Sequence, residues 1–431
     1  MQIPRTLTSI RITPRAALLA AAIFHLAFTL SVFSAGRSGL FPSKFDRDGI
    51  GEFARDSRAF RAQANSMADL LYQGEITLWA NGAADFHAKV YSLDLVLMRP
   101  LLGSTIIAVE PLNLIYYLGI LTLTFALARV VASRRAAWVA SAIVGLWPSL
   151  VLHTTQLIRD PLLISAILLL VLVIIQVLTR VHNWRSALIS ALMTISACLV
   201  IWKCRSEMWP VLWVIVSGAA LLFIIRMVRE RKLLAGNLAL IALLSVLTIA
   251  IPRTTSVAPK PGDQRRVQNV SIWGVIARAR NGFIKEGLNN SGSIIDSNVT
   301  FAGPVDIIKY LPRALEIGYL APFPPMWFGV GHNVGLIGRL LSGLEMSLTY
   351  LIEALAFVFV WRRRRRLETW LLLLTTTTGV VALGMVVVNI GTLYRMRYPF
   401  WILMVIMAAP IITHYVSRIS NEALAPEAER T

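Results

Sequence analysis

Charge is scarce in this 431-residue sequence, where Asp, Glu, Lys and Arg make up 15% against 56% hydrophobic residues. A soluble domain usually carries about 25% charged residues. Too few are present here to cover a water-facing surface, which excludes a soluble enzyme. Cysteine is scarcer still, with two residues, Cys198 and Cys204, in one apolar run. Six positions apart on a helix they do not face each other, which argues against a disulfide. No Cys/His spacing of the metal-binding kind occurs.

What is abundant is apolar runs near the ~20 residues that cross a bilayer core as a helix. The fold class is therefore an all-α integral membrane protein with about ten transmembrane helices. The expected spans are 16–34, 111–132, 136–157 (bent at Pro148), 161–179, 186–202, 207–228, 233–251, 340–361, 367–391 and 398–418. The stretch 16–34 exceeds a typical signal-peptide core and reads as an uncleaved first span.

Positive residues outnumber acids 42 to 23 and sit at span ends and in short loops, culminating in Arg362–Arg366. That distribution is the positive-inside pattern, so basicity reads as topology and lipid contact, with no nucleic-acid partner. Both termini are placed in the cytoplasm. The chain is expected to be one polytopic domain over 1–431. Residues 35–107 and 252–338 form two long extracytoplasmic loops with interfacial helices, and 419–431 a cytoplasmic tail. Helical spacing places such helices at 57–72 and 90–102. The stretch 252–266 reads as loop, and 321–331 as a Pro-aromatic segment re-entering the interface.

Ionisable residues are rare at the span centres and collect at the outer ends, where lipid phosphates lie. A transporter would place them at the midplane. The densest cluster is 45–60, FDRDGIGEFARDSRAF, with Asp46, Asp48, Glu52 and Asp56 among Arg47, Arg55 and Arg58. Asp56 has two readings, a helix-start cap or a general base that removes a proton from an acceptor hydroxyl. Asp46-x-Asp48 is either a solvated turn beside Gly49 and Gly51 or a divalent-cation site.

Arg159-Asp160-Pro161 is helix-start chemistry, with Arg159 either pairing with Asp160 or holding a phosphate. If the preceding helix persists, His153, Gln156 and Asp160 share one face. Arg395 and Arg397 stand at the outer entrance of the last span, where positive charge is disfavoured. They either bind a lipid phosphate in a bidentate fork or snorkel to headgroups, and Lys203 and Arg205 invite the same pair of readings. Glu345 lies within a span and is expected, with Asp160 and His153, behind the primary site residues.

The order of a first span, an outer loop with Asp56-Ser57-Arg58-Ala59-Phe60, LLISAI after Arg159-Asp160, PRALEIGYLAPFP at 312–324 and GTLYRMRYP at 391–399 resembles the bacterial, dolichyl-phosphate-mannose mannosyltransferase-like branch of the GT-C glycosyltransferase superfamily. The resemblance is in overall plan, clearest over 16–180 and 391–400. It implies inverting transfer of a sugar from a polyprenyl-phosphate carrier to a glycan or lipid acceptor, outside the cytoplasm of a bacterial inner membrane. It also implies that a first-loop acid is the base (Asp56, with Asp46 and Asp48 as rivals) and that outer basic residues hold the donor phosphate. Where the superfamily often has paired acids, Asp56 is followed by Ser57. A polymerase or flippase component for lipid-linked polysaccharide is the alternative.

Overall fold

The computed structural model describes residues 13–54, 56–232, 234–254, 272–290, 293–328 and 335–424. Arg55, most of the stretch expected to be loop, residues 329–331 of the Pro-aromatic segment and the end of the tail lie outside them. The chain is an all-α integral membrane protein. Among the described residues there is no strand, only two isolated bridges, Phe45 to Gly51 and Ile294 to Asn389. Within those same residues nine helices are long and apolar enough to cross a membrane, or ten if one bent pair counts as a span.

Helix α1 (Pro14–Arg37) starts at Thr13, whose side chain accepts from the Ala16 N–H, with Pro14 in the first turn where its missing donor costs nothing. The first long connection carries α2 (Asp56–Tyr72), α3 (Ile76–Asn81) and α4 (Phe86–Leu102). Helices α2 and α4 pack together, burying Ala64 and Ala68 against Ala88, Tyr91 and Leu95. Then follow α5 (Glu110–Val131), α6 (Arg134–Gly145), α7 (Pro148–Thr154), α8 (Asp160–Thr179), α9 (Trp184–Cys204), α10 (Trp209–Glu230) and α11 (Ala235–Thr254). The second long connection holds α12 (Ile272–Asn290) and α13 (Pro304–Leu320), and the chain closes with α14 (Gly335–Arg363), α15 (Leu367–Val386), α16 (Ile390–Met396) and α17 (Tyr398–Leu424).

Helix α8 is the hub. It is apolar on every face, and 72% of its most apolar stretch is buried, against 17% for α1. A helix without a polar face belongs in the middle of a bundle, and α8 touches α5, α9, α10, α15 and α17. Polar clasps close the end of the bundle away from Asp160. Arg226 donates to the carbonyls of Val177 and Arg180 at 2.7 and 2.8 Å, Asn237 reaches the same two, and Arg363 donates to Val131. Each satisfies helix-end carbonyls that hydrocarbon would leave unpaired.

Two expected spans are broken, each for a local reason. The stretch 136–157 is two helices at 67°, because Pro148 opens α7 rather than continuing α6. Since α7 stops at Thr154 and α8 starts at Asp160, the residues His153, Gln156 and Asp160 do not share a helix face. The stretch 367–391 leaves the helix at Val386, where the backbone of 388–390 pairs with 293–295 (Ile295 N–H to Val388 O, 2.9 Å; Ile390 N–H to Ser293 O, 3.2 Å). Asn389 then caps α16, accepting from the N–H groups of Gly391 and Thr392. Buried Arg280 fixes this seam by donating to the carbonyls of Asp296, Val299 and Met385.

Candidate functional site

The first connection folds back on itself at 45–51. Asp46 is the cause: its Oδ1 accepts from the N–H groups of Asp48 and Ile50 at 3.0 and 2.9 Å, while Gly49 takes φ +86°, a conformation open to glycine. Gln156 ties the turn to the bundle, accepting from Gly51 N–H and donating to Gly49 O. The remaining acid oxygens meet α2. Arg61 pairs with Asp48 at 2.6 Å and lies 3.8 Å from Asp46, and Arg58 pairs with Glu52 at 2.5 Å. The D-x-D is thus a turn whose carboxylates face guanidinium groups, an arrangement unsuited to a divalent cation. No group of three or more His, Cys, Asp or Glu positioned for a metal occurs among the described residues.

Asp56 opens α2 on the other side of this turn. Its Oδ2 accepts from Arg395 Nη2 at 2.8 Å across 339 positions of sequence, and its side chain stays 47% exposed. Arg395 also lies 3.9 Å from Asp160, whose other oxygen is 3.5 Å from Arg205. The result is a chain of alternating charge, Asp56–Arg395–Asp160–Arg205, at the junction of α2, α8, α9 and α16. Arg159 adjoins it, donating to the Cys204 carbonyl rather than pairing with Asp160.

Burial opposes the charge of Arg395, but Asp160 and then Asp56 outweigh it and hold the guanidinium above its ordinary pKa. Arg205 is pushed down to about 10, first by burial and then by the charge of Arg159, which leaves it a cation at neutral pH. Its Nε has no partner, and neither do the buried Ser57 Oγ and His87 Nε2 beside the cluster. Three guanidinium groups around one buried carboxylate, with donors to spare, suit an anion that bears several oxygens.

The other expected phosphate ligands sit elsewhere. Arg397 is buried, and its Nη1 donates to the carbonyls of Gly318, Tyr319 and Ala321 at 2.9–3.1 Å, clasping the end of α13. Lys203 is exposed at the end of α9.

A cavity of about 550 Å³ opens beside the charged chain, walled by Glu52 and Phe53, by Ser149 and His153 of α7, by Arg339 and Glu345 of α14, and by Tyr394. Glu345 accepts from Ser149 N–H and Oγ at 2.8 and 2.6 Å, and from the Tyr394 hydroxyl. Tyr394 and Arg395 are neighbours on α16, so one short helix serves both cavity and charged chain. Arg339 is a wall residue that hydropathy did not single out. Another network, His25 Nδ1 to Glu110 at 2.7 Å, Thr29 to Glu110 at 2.9 Å and His25 Nε2 to Thr154 at 3.0 Å, is fully buried and anchors α1 to α5 and α7. Its signal in the sequence is an ionisable residue, His25, within an apolar run.

No family model matches the sequence, and no curated protein matches it. A solved structure that the chain is similar to is the archaeal oligosaccharyltransferase AglB from Archaeoglobus fulgidus, determined with an inhibitory peptide and a dolichol-phosphate. The two share 11% identity over 96% of this chain and 52% of that one, with a TM-score of 0.49. The chain spans about half the length of that structure.

Proposed function

We propose that this protein is a membrane glycosyltransferase that moves a sugar from a polyprenyl-phosphate carrier to a cell-envelope glycan or lipid. The observation that carries the reading is the chain Asp56–Arg395–Asp160–Arg205, with Arg159 beside it and a cavity alongside. The acceptor oxygen attacks the anomeric carbon as the bond from that carbon to the phosphate oxygen breaks, in one displacement with inversion. Asp56 takes the acceptor proton: Arg395 holds one of its oxygens, and the carboxylate remains half exposed. The departing lipid phosphate gains charge, which Arg395, Arg205 and Arg159 are suited to stabilise.

Asp46 and Asp48 are less available for that role, since turn amides and Arg61 already engage them. Arg397 belongs to the scaffold. The basic loops, Arg134 and Arg135, Arg180, Arg229 and Arg362–Arg366, leave spans at the end away from Asp160. By the positive-inside rule that end faces the cytoplasm, which supports the proposal that the site lies on the outer face of the membrane, taken here as a bacterial inner membrane.

The test is mass spectrometry of surface glycans and lipid carriers from cells with the native protein, a deletion or Asp56→Asn, with membrane abundance checked. The expected result is Asp56→Asn at native abundance, transfer reduced about 100-fold and the polyprenyl-phosphate sugar accumulating. Native behaviour of Asp56→Asn would remove Asp56 from the site. A deletion that altered only chain length or export would favour a polymerase or flippase.

A further inference from the structure

The cavity contains a group that the proposed transfer does not use. His153, on α7, is 8% exposed, and its Nδ1 lies 2.5 Å from the carbonyl oxygen of Ser149. A carbonyl only accepts, so Nδ1 must carry the proton and donate it. The surrounding donors are spent elsewhere. The Tyr398 hydroxyl donates to Ser149 Oγ at 2.9 Å, Ser149 Oγ donates to Glu345, and Tyr394 donates to Glu345 as well. Tyr398, 3.3 Å from Nδ1, therefore offers it a second acceptor. The network fixes one imidazole tautomer, with the lone pair on Nε2.

No described residue donates to that Nε2, and it is not among the buried atoms left without a partner, so it opens on the cavity whose wall His153 forms. Phe53 stands edge-on to the imidazole at 5.2 Å, and Trp327 and Tyr394 provide further aromatic walls. Aromatic walls around a fixed hydrogen-bond acceptor, with Glu52 and Arg339 at hand, suit a ring that combines apolar faces with hydroxyl groups.

We infer that His153 Nε2 accepts a hydrogen bond from a hydroxyl of a saccharide bound in this cavity, and that Glu345, Ser149 and Tyr398 are positioning residues that lock its tautomer. The inference deepens the transferase reading by naming where a sugar sits. Its chemical test, however, stands without that activity.

Diethyl pyrocarbonate acylates the unprotonated imidazole nitrogen, so it reports directly on Nε2. The purified protein in lauryldimethylamine oxide micelles is labelled at pH 7 and each histidine quantified by mass spectrometry, alone, with methyl β-glucoside and with octyl β-glucoside. Labelling of His153 is expected, with its rate reduced at least ~3-fold by a glucoside. Protection by octyl glucoside alone identifies a lipid-linked sugar, and protection by both identifies a glycan. No labelling, or a rate that neither glucoside changes, overturns the proposal.

A pair of variants separates hydrogen bonding from packing. The Gln oxygen reaches the Nε2 position and that of Asn only the Nδ1 position, so His153→Gln should retain glycan output where His153→Asn loses it ~10-fold. Equal output from the two overturns the assigned role. If deletion alters only chain length or export while His153 is still protected, the transferase reading fails and the saccharide site stands.

Discussion

His87 gives the pH dependence a definite sign. Burial first, and the charge of Arg159 second, lower its pKa from 6.5 to about 4 in the folded protein. Above pH 6.5 it is neutral folded and unfolded, and contributes nothing to the slope. Between 6.5 and 4 only the unfolded chain takes up the proton, so stability falls as pH falls through that window and levels off below it. A shift of that size amounts to on the order of 3 kcal/mol. Thermal unfolding in detergent should therefore show a larger loss from pH 7.5 to pH 4.5 in the native protein than in His87→Gln.

Arg395 and Arg397, two positions apart, make opposite predictions. Arg395 spans two carboxylates with separate nitrogens, a geometry that a lysine ammonium cannot reproduce. Arg395→Lys should keep normal abundance and lose glycan output at least ~10-fold. Arg397 bonds three carbonyls that close α13, and its removal leaves them unpaired at about 1–3 kcal/mol each before relaxation. Arg397→Ala should lower folded abundance, read by fluorescence-detected size exclusion, and any remaining folded protein should transfer normally.

At the scale of elements, α13 and α15 approach as closely as two glycines allow. A methyl group on Gly384 would lie 2.0 Å from the Ala314 carbonyl oxygen, and one on Gly318 would lie 2.4 Å from that of Val380. Small residues let backbones meet where hydrocarbon provides no hydrophobic drive for helix association. Gly384→Ala should force α13 outward and destabilise the protein by about 1–3 kcal/mol, seen as a lower unfolding temperature. Because α13 supplies the Gly318 carbonyl to Arg397, the same change should loosen the entry of α17. The break between α6 and α7 also acts at this scale: it turns Ser149 and His153 towards α14 and α17, where an unbroken span would have carried them along the bundle.

For the whole molecule, the division into a charged-site end and a basic end can be read in vesicles. Cys198 and Cys204 are buried and should stay silent. A cysteine replacing Leu40, exposed after α1, should react with an impermeant maleimide in right-side-out vesicles, whereas one replacing Arg364 should react only in inside-out vesicles. The reverse pattern would turn the site to the cytoplasm and end the proposal of an outer-face transfer.

The class, the number of spans to within one and the basic ends are legible in the amino-acid sequence alone. These depend on composition in windows about the length of one helix, and hydrocarbon admits few other solutions for such windows. The starts of α2 near Asp56 and of α8 beside Pro161 were legible as well, since helix-start chemistry is local, although Asp160 lies in the first turn of α8 without a cap bond and its carboxylate faces Arg205 and Arg395 instead. Which ionisable groups meet is set by how the helices pack. Asp56 joins Arg395 across 339 positions, Glu345 joins Ser149 across 196, and the arginine beside Asp160 turns to a carbonyl while Arg205 and Arg395 approach the acid. Periodicity cannot carry that information, because it places a residue on a face of its own helix and leaves open which helix packs there. The same limit hid the His25–Glu110 anchor and the tautomer of His153, which depend on partners from other helices and on a turn four residues back.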